Sequence, residues 1–140
     1  MKGEKMKAEQ STVYFGWYCK QLKFGRCKIG ETQQKYVTGR FSQIRKENKV
    51  SFRGLISVTV KGLTKAEIYY IESYVRLHMS RIEGLEYDED SNDHFDYLIE
   101  KGNRKNQIIR FADEFEKIAI NGFKELGYTT KEMKIKKYNR

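Results

Sequence analysis

Apolar residues along this 140-residue chain recur with two different periods, and the switches between them divide it into elements. Thr12 to Tyr18 is dense in β-branched and aromatic residues and predicts a first strand; Phe24-Gly25 then turns the chain into a second, Arg26 to Gly30. Val37, Phe41 and Ile44 fall at helical spacing and predict a short helix from about Tyr36 to Asn48, with Gly39 weakening its first turn. Phe52 to Val60 returns to the strand period, with Ile56, Val58 and Val60 on one face. Thr64 followed by Glu67 is a capping box, and the helix it opens carries the stripe Ile68, Ile71, Val75 and Met79. Glu83 to Asp90 reads as an exposed acidic loop, leading into Asn92-Asp93-His94-Phe95 and a short ordered element through Ile99. Ile108, Phe111, Ala112, Phe115, Ile118, Ala119 and Leu126 share one face of a long helix from about Gln107 to Leu126, which Gly127 ends.

This order predicts an α/β chain of the α+β kind, with a three-stranded antiparallel sheet flanked by helices and an extra C-terminal helix. The expected organisation is a flexible basic arm (1–11), one domain (12–127) and a basic tail (128–140) that orders only on meeting a partner. The apolar face of the last helix is expected to complete the core rather than a dimer seam, and the chain to be a monomer or homodimer. No apolar run is long enough for a membrane span, and Met1 to Gln10 is polar and lysine-rich, unlike a secretory signal; a cytoplasmic protein is the expectation. Cys19 and Cys27 flank the turn and are expected to be reduced, and with His78 and His94 they show no zinc-site spacing.

Charge narrows the choice of partner. The formal net charge is +9, and residues 1–50 carry twelve Lys or Arg against four Glu, whereas residues 83–96 carry seven acidic side chains and no Lys or Arg. Such asymmetry points to a polyanion, DNA first, with Arg45, Lys46, Lys49, Lys134, Lys136 and Lys137 as the phosphate-gripping candidates.

The candidate chemistry lies around the first two strands. Gly16 and Tyr18 share one strand face and Lys28 and Gly30 another, so a hairpin brings a phenol and an ammonium to one side, above two bare glycines, while Trp17 and Ile29 point to the core. Glu72 borders an apolar stripe, where a carboxylate needs a cation, a donor or a metal.

Gly16-Trp17-Tyr18 and Lys28-Ile29-Gly30, nine residues apart, resemble the paired motifs of the GIY-YIG nuclease superfamily, in a phage-associated form with lysine for the second tyrosine. Val13-Tyr14-Phe15 is an alternative first motif. Arg40, twelve residues after Lys28, matches the family's helical arginine, Glu72 its metal-binding glutamate, and Asn92-Asp93-His94-Phe95 a later polar-aromatic motif. The resemblance covers about residues 12–98.

What it implies is metal-dependent hydrolysis of phosphodiester bonds in DNA. Glu72 would hold Mg²⁺ (or Mn²⁺), Arg40 would clamp the phosphate, and either Tyr18 or Lys28 would activate water. Tyr14, Tyr36, Asn92 and His94 form a second tier. A phenol needs a neighbouring cation to serve as a base near neutral pH. Taken singly, each residue has an ordinary role: Tyr18 a sheet tyrosine, Lys28 and Arg40 solvated charges, Glu72 an ion pair with Arg76, both histidines structural. Two other functions fit the same chain: a nucleic-acid-binding module without turnover, and an inhibitor-like interaction module using the acidic segment 83–96.

Overall fold

The computed structural model describes residues 7–19, 23–49, 51–91 and 93–138. Asn92 and most of the basic arm lie outside the described residues. The elements are β1 (Ser11–Tyr18), β2 (Phe24–Thr32), α1 (Val37–Asn48), β3 (Phe52–Val60), α2 (Lys65–Met79), β4 (Glu86–Tyr87), β5 (His94–Leu98), α3 (Arg104–Glu125), a 3₁₀ turn (Thr130–Glu132) and β6 (Lys134–Lys137).

The expected three-stranded sheet is corrected: the strands form one six-stranded antiparallel sheet in the order β4-β5-β2-β1-β3-β6. The three predicted strands are its centre. Those missing from the prediction have physical reasons for escaping it. β4 is two residues within the acidic segment, and the charge there is balanced across the sheet, where Arg26 reaches Asp88 at 2.5 Å and Asp96 at 2.8 Å. All four residues of β6 are exposed, so its ladder to β3 leaves no hydrophobic alternation to read. Lysine on such an edge also discourages pairing with another chain.

Layering follows from strand parity. On the face holding Val13, Phe15, Cys27 and Ile29, the sheet packs against α2 and α3 in the larger core, which encloses Ile71, Val75, Phe111, Phe115 and Phe123. Each fully buried Phe there contributes about 1.5–3 kcal/mol of burial energy. α2 has the expected cap: Glu67 N donates to Thr64 Oγ1 at 3.2 Å, and Thr64 N to Glu67 Oε1 at 2.9 Å. α3 begins before the predicted start, and Gln107 Nε2 ties its first turn to the Leu98 carbonyl at 3.0 Å. The apolar face of α3 lies in this core, and Gly122 lets α2 approach closely, since a Cβ there would stand 2.5 Å from Ile71 Cδ1. On the other face, Tyr14, Tyr18 and Phe52 meet Val37, Phe41 and Ile44 of α1 in a smaller core. Between Phe15 and Gly16 the β1–β3 register shifts by a bulge, placing Gly54 under the Phe41 ring.

Candidate active site

Register decides what meets on the α1 face. Tyr14 is paired with Gly30, Gly16 with Lys28 and Tyr18 with Arg26, so these six residues share that face, while Trp17 and Ile29 turn to the larger core as expected. The two glycines are not bare. A Cβ at Gly30 would lie 2.3 Å from Tyr14 Oη, and one at Gly16 2.3 Å from Phe52 Cζ, so their missing side chains make room for aromatic rings.

A cleft of about 510 Å³ opens where β2 runs past the end of β5, between α1 and α2. Tyr14, Gly30, Glu31, Arg40, Glu72 and Asp93 line it, with Arg76 at its rim. Among the predicted site residues the fold therefore brings Arg40 and Glu72 together, but with Tyr14 in place of Tyr18. Tyr18 and Lys28 do not line the cleft.

Lys28 is only 5 % exposed, and its ammonium is bound to the Asp93 carboxylate. The same carboxylate faces His94 Nδ1 at 3.2 Å, and His94 Nε2 lies 2.7 Å from Tyr18 Oη. Burial opposes ionisation of Asp93, but hydrogen bonds from His94 and Lys28 outweigh it and hold the carboxyl well below the usual range. Tyr18 is pushed up to about 12, first by burial and then by the Asp93 charge. The expected lowering of a phenol by a neighbouring cation is corrected at Tyr18, where burial and the Asp93 charge outweigh Arg26 and Arg40, and the Lys28 ammonium is bound to Asp93 instead.

Tyr14 is 1 % exposed and its ring meets Phe41 edge-on at 5.4 Å. Burial raises its phenol, with the nearby Arg40 guanidinium pulling the other way. Arg40 keeps a loose contact of 3.7 Å with Glu47 and remains partly open to solvent.

Glu72 is half-buried on α2, and its carboxyl is raised by burial first and then by Glu31. The expected pairing with Arg76 does not close to contact distance; Arg76 exerts only a longer-range attraction. Glu31, also raised by burial, accepts a hydrogen bond of 2.6 Å from Ser11 Oγ. Among the described residues no group of three His, Cys, Asp or Glu is set to hold a metal. A carboxylate with a second one nearby, both open to a polar cleft, nonetheless suits a hard cation such as Mg²⁺, which keeps several waters and takes few protein oxygens.

The remaining predicted residues stand apart from the cleft. Arg45 donates to the Phe52 carbonyl and to Ser42 Oγ, both at 3.1 Å, while Lys46 and Lys49 are exposed near the end of α1. Lys134, Lys136 and Lys137 are exposed on β6, and Lys137 pairs with Glu116 at 3.5 Å. Tyr36 caps the other end of α1 and is 69 % exposed. His78 is structural: its Nδ1 lies 2.8 Å from the Tyr74 carbonyl and its ring stacks on Tyr74.

Glu31 and Asp93 were missed as cleft residues. The predicted second strand stops at Gly30, one residue short of Glu31, which β2 carries on the α2 side of the sheet; the approach of Glu72 gives that position chemical meaning. Asp93 reaches the cleft because β5 pairs with β2, aligning His94 opposite Lys28. The sequence signal for Tyr14 was the alternative motif Val13-Tyr14-Phe15. No helix among the described residues is long and apolar enough to cross a membrane. Comparison of the chain with protein-family models, curated proteins and solved structures finds no match.

Proposed function

We propose that this protein is a metal-dependent endonuclease of the GIY-YIG kind that hydrolyses phosphodiester bonds in DNA. The observation that carries the reading is the convergence of Tyr14, Arg40 and Glu72 on one polar cleft floored by Gly30, drawn from a strand, a helix and a second helix. The first motif is then Val13-Tyr14-Phe15, with Lys28-Ile29-Gly30 as the second.

Arg40 offers a planar, permanently charged fork to the scissile phosphate. Tyr14, packed edge-on against Phe41 and near Arg40, orients the attacking water, whose proton passes to bulk water in the open cleft because a raised phenol is no base near neutral pH. Glu72, with Glu31 beside it, would hold the cation. When bound, that cation supplies charge neutralisation at the phosphoryl and leaving oxygens. Lys28 acts through Asp93: the pair fixes the end of the 83–93 segment against β2, where Ile29 N also donates to the Asp93 carbonyl at 2.9 Å.

The second reading is a DNA-binding module that has lost turnover. Supercoiled plasmid incubated with Mg²⁺, Mn²⁺ or EDTA separates the two. Metal-dependent nicking that is lost in both Arg40→Ala and Glu72→Ala is the expected result. Nicking that survives Glu72→Ala overturns the site, and salt-sensitive binding without nicking selects the second reading.

A further inference from the structure

A second surface lies on the same sheet face, beyond the first turn of α1. It is a shallow groove of about 80 Å³ between the exposed Tyr36 ring and the Tyr138 ring, edged by Lys35, Lys134 and Lys136. Lys35 Nζ sits 5.5 Å from the centre of the Tyr36 ring and Lys136 Nζ 5.4 Å from that of Tyr138. The Tyr138 ring is held edge-on against Phe41 at 5.5 Å, and its hydroxyl lies 3.0 Å from Ser57 Oγ. Below them Thr12 and Thr59 satisfy each other, with their hydroxyl oxygens 2.7 Å apart.

We infer that this groove binds an unpaired stretch of DNA strand, stacking bases on Tyr36 and Tyr138 and placing phosphates on the three lysines. The inference rests on the endonuclease reading and specifies the form of its substrate. Three features select this occupant. The hydroxyls of Thr12, Thr59, Ser57 and Tyr138 are already paired and Gln10 Nε2 is spent on the Gln34 and Lys35 carbonyls, so the groove offers base edges little beyond the Thr38 hydroxyl and the Gln10 side-chain oxygen. It offers flat aromatic faces and positive charge, the combination that holds single strands with little sequence preference. Bases in a duplex are stacked on one another, so those faces are of use only to unpaired ones. Lysine alone would be explained as protection of the β6 edge; edge protection does not call for the aromatic rings on either side.

The groove also adjoins the cleft. Thr12 lies two residues before Tyr14 on the same face of β1, about 7 Å along the strand. Val37 and Thr38 of α1 border the groove, and Arg40 of the same helix borders the cleft. A strand stacked in the groove therefore has its next phosphates within reach of Arg40, so DNA with an unpaired or frayed segment is the favoured substrate.

The test is fluorescence anisotropy in EDTA, with a labelled oligothymidylate of about 12 nucleotides and a duplex of the same length. The oligothymidylate is expected to bind more tightly than the duplex. Tyr36→Ala, at an exposed position, weakens it about tenfold while changing duplex binding less than about twofold. Lys134→Gln with Lys136→Gln lowers the slope of log K against log salt by about 1.4 for the single strand. Equal affinity for the two forms, or single-strand binding indifferent to Tyr36→Ala, overturns the groove. Plasmid nicking is scored separately. Nicking without single-strand preference leaves the endonuclease reading and removes the groove; Tyr36-dependent single-strand binding without nicking does the reverse.

Discussion

The Lys28 ammonium and the Asp93 carboxylate form an ion pair in which the lysine side chain is 7 % exposed and the aspartate 36 %. A lysine this enclosed tolerates its charge only because Asp93 faces it, and removing the partner strands the charge. Asp93→Asn is expected to cost about 1–3 kcal/mol, less than the ~3–5 for a fully enclosed pair because Asp93 still meets water. Urea unfolding of Lys28→Met, Asp93→Asn and the double variant checks this, with the double recovering most of the loss. The pH sign follows from the depressed carboxyl: its stabilisation is present above the unfolded value of about 3.9 and is lost as pH falls toward the folded one. The gap between wild type and Asp93→Asn should stay constant above about pH 5 and narrow below about pH 4. A gap unchanged at pH 3 would contradict the pairing.

Tyr14 and Tyr18 are separable by single-atom changes. Tyr14→Phe removes the phenol near Arg40 and is expected to slow nicking about 100-fold with the fold intact. Tyr18→Phe loses only the link to His94 and should slow it less than about tenfold. Kinetics of the two variants, beside their melting curves, decide the first motif; the opposite ranking returns Tyr18 to the centre.

Glu72 is held at a cost to the fold. Its carboxyl is raised by burial and by Glu31, so the penalty is absent below the unfolded carboxyl range, about pH 4, and accrues as pH rises through the folded value. Glu72→Gln should therefore raise Tm by roughly 1–2 °C at pH 7, a small gain for a half-exposed group, while abolishing nicking. Mg²⁺ should raise the Tm of wild type and leave that of Glu72→Gln unmoved. A Tm gain from Mg²⁺ in the variant would place the cation elsewhere.

Gly30 and Gly54 each accommodate one aromatic ring of the α1 face. A Cβ at Gly54 would stand 2.1 Å from Phe41 Cε2, so Gly54→Ala should destabilise by about 1–3 kcal/mol through displacement of α1. Gly30→Ala pushes on Tyr14 instead, 2.3 Å from its oxygen, and should lower nicking at least as much as Tyr14→Phe. Thermal melts and nicking rates together separate the two effects; an active, fully stable Gly30→Ala would remove Tyr14 from the reaction.

By itself the sequence determined the central hairpin, β3 and all three helices, because each buries one face and so writes its period into the residue order. Trp17 and Ile29 on one side of the sheet, and Ile71 and Val75 one turn apart, are legible without coordinates for that reason. The resemblance also singled out Arg40 and Glu72, two residues that the fold brings to one cleft. The tertiary structure alone decided the edge strands and the membership of the site. β6 buries no side chain and is held by backbone bonds, which leave no hydrophobic pattern. Lys28 and Asp93 are 65 residues apart, and their pairing depends on β5 docking beside β2. Parity put Tyr14 and Tyr18 on the same face; what separates them is where α1 covers that face and where β5 ends, and both are set by packing.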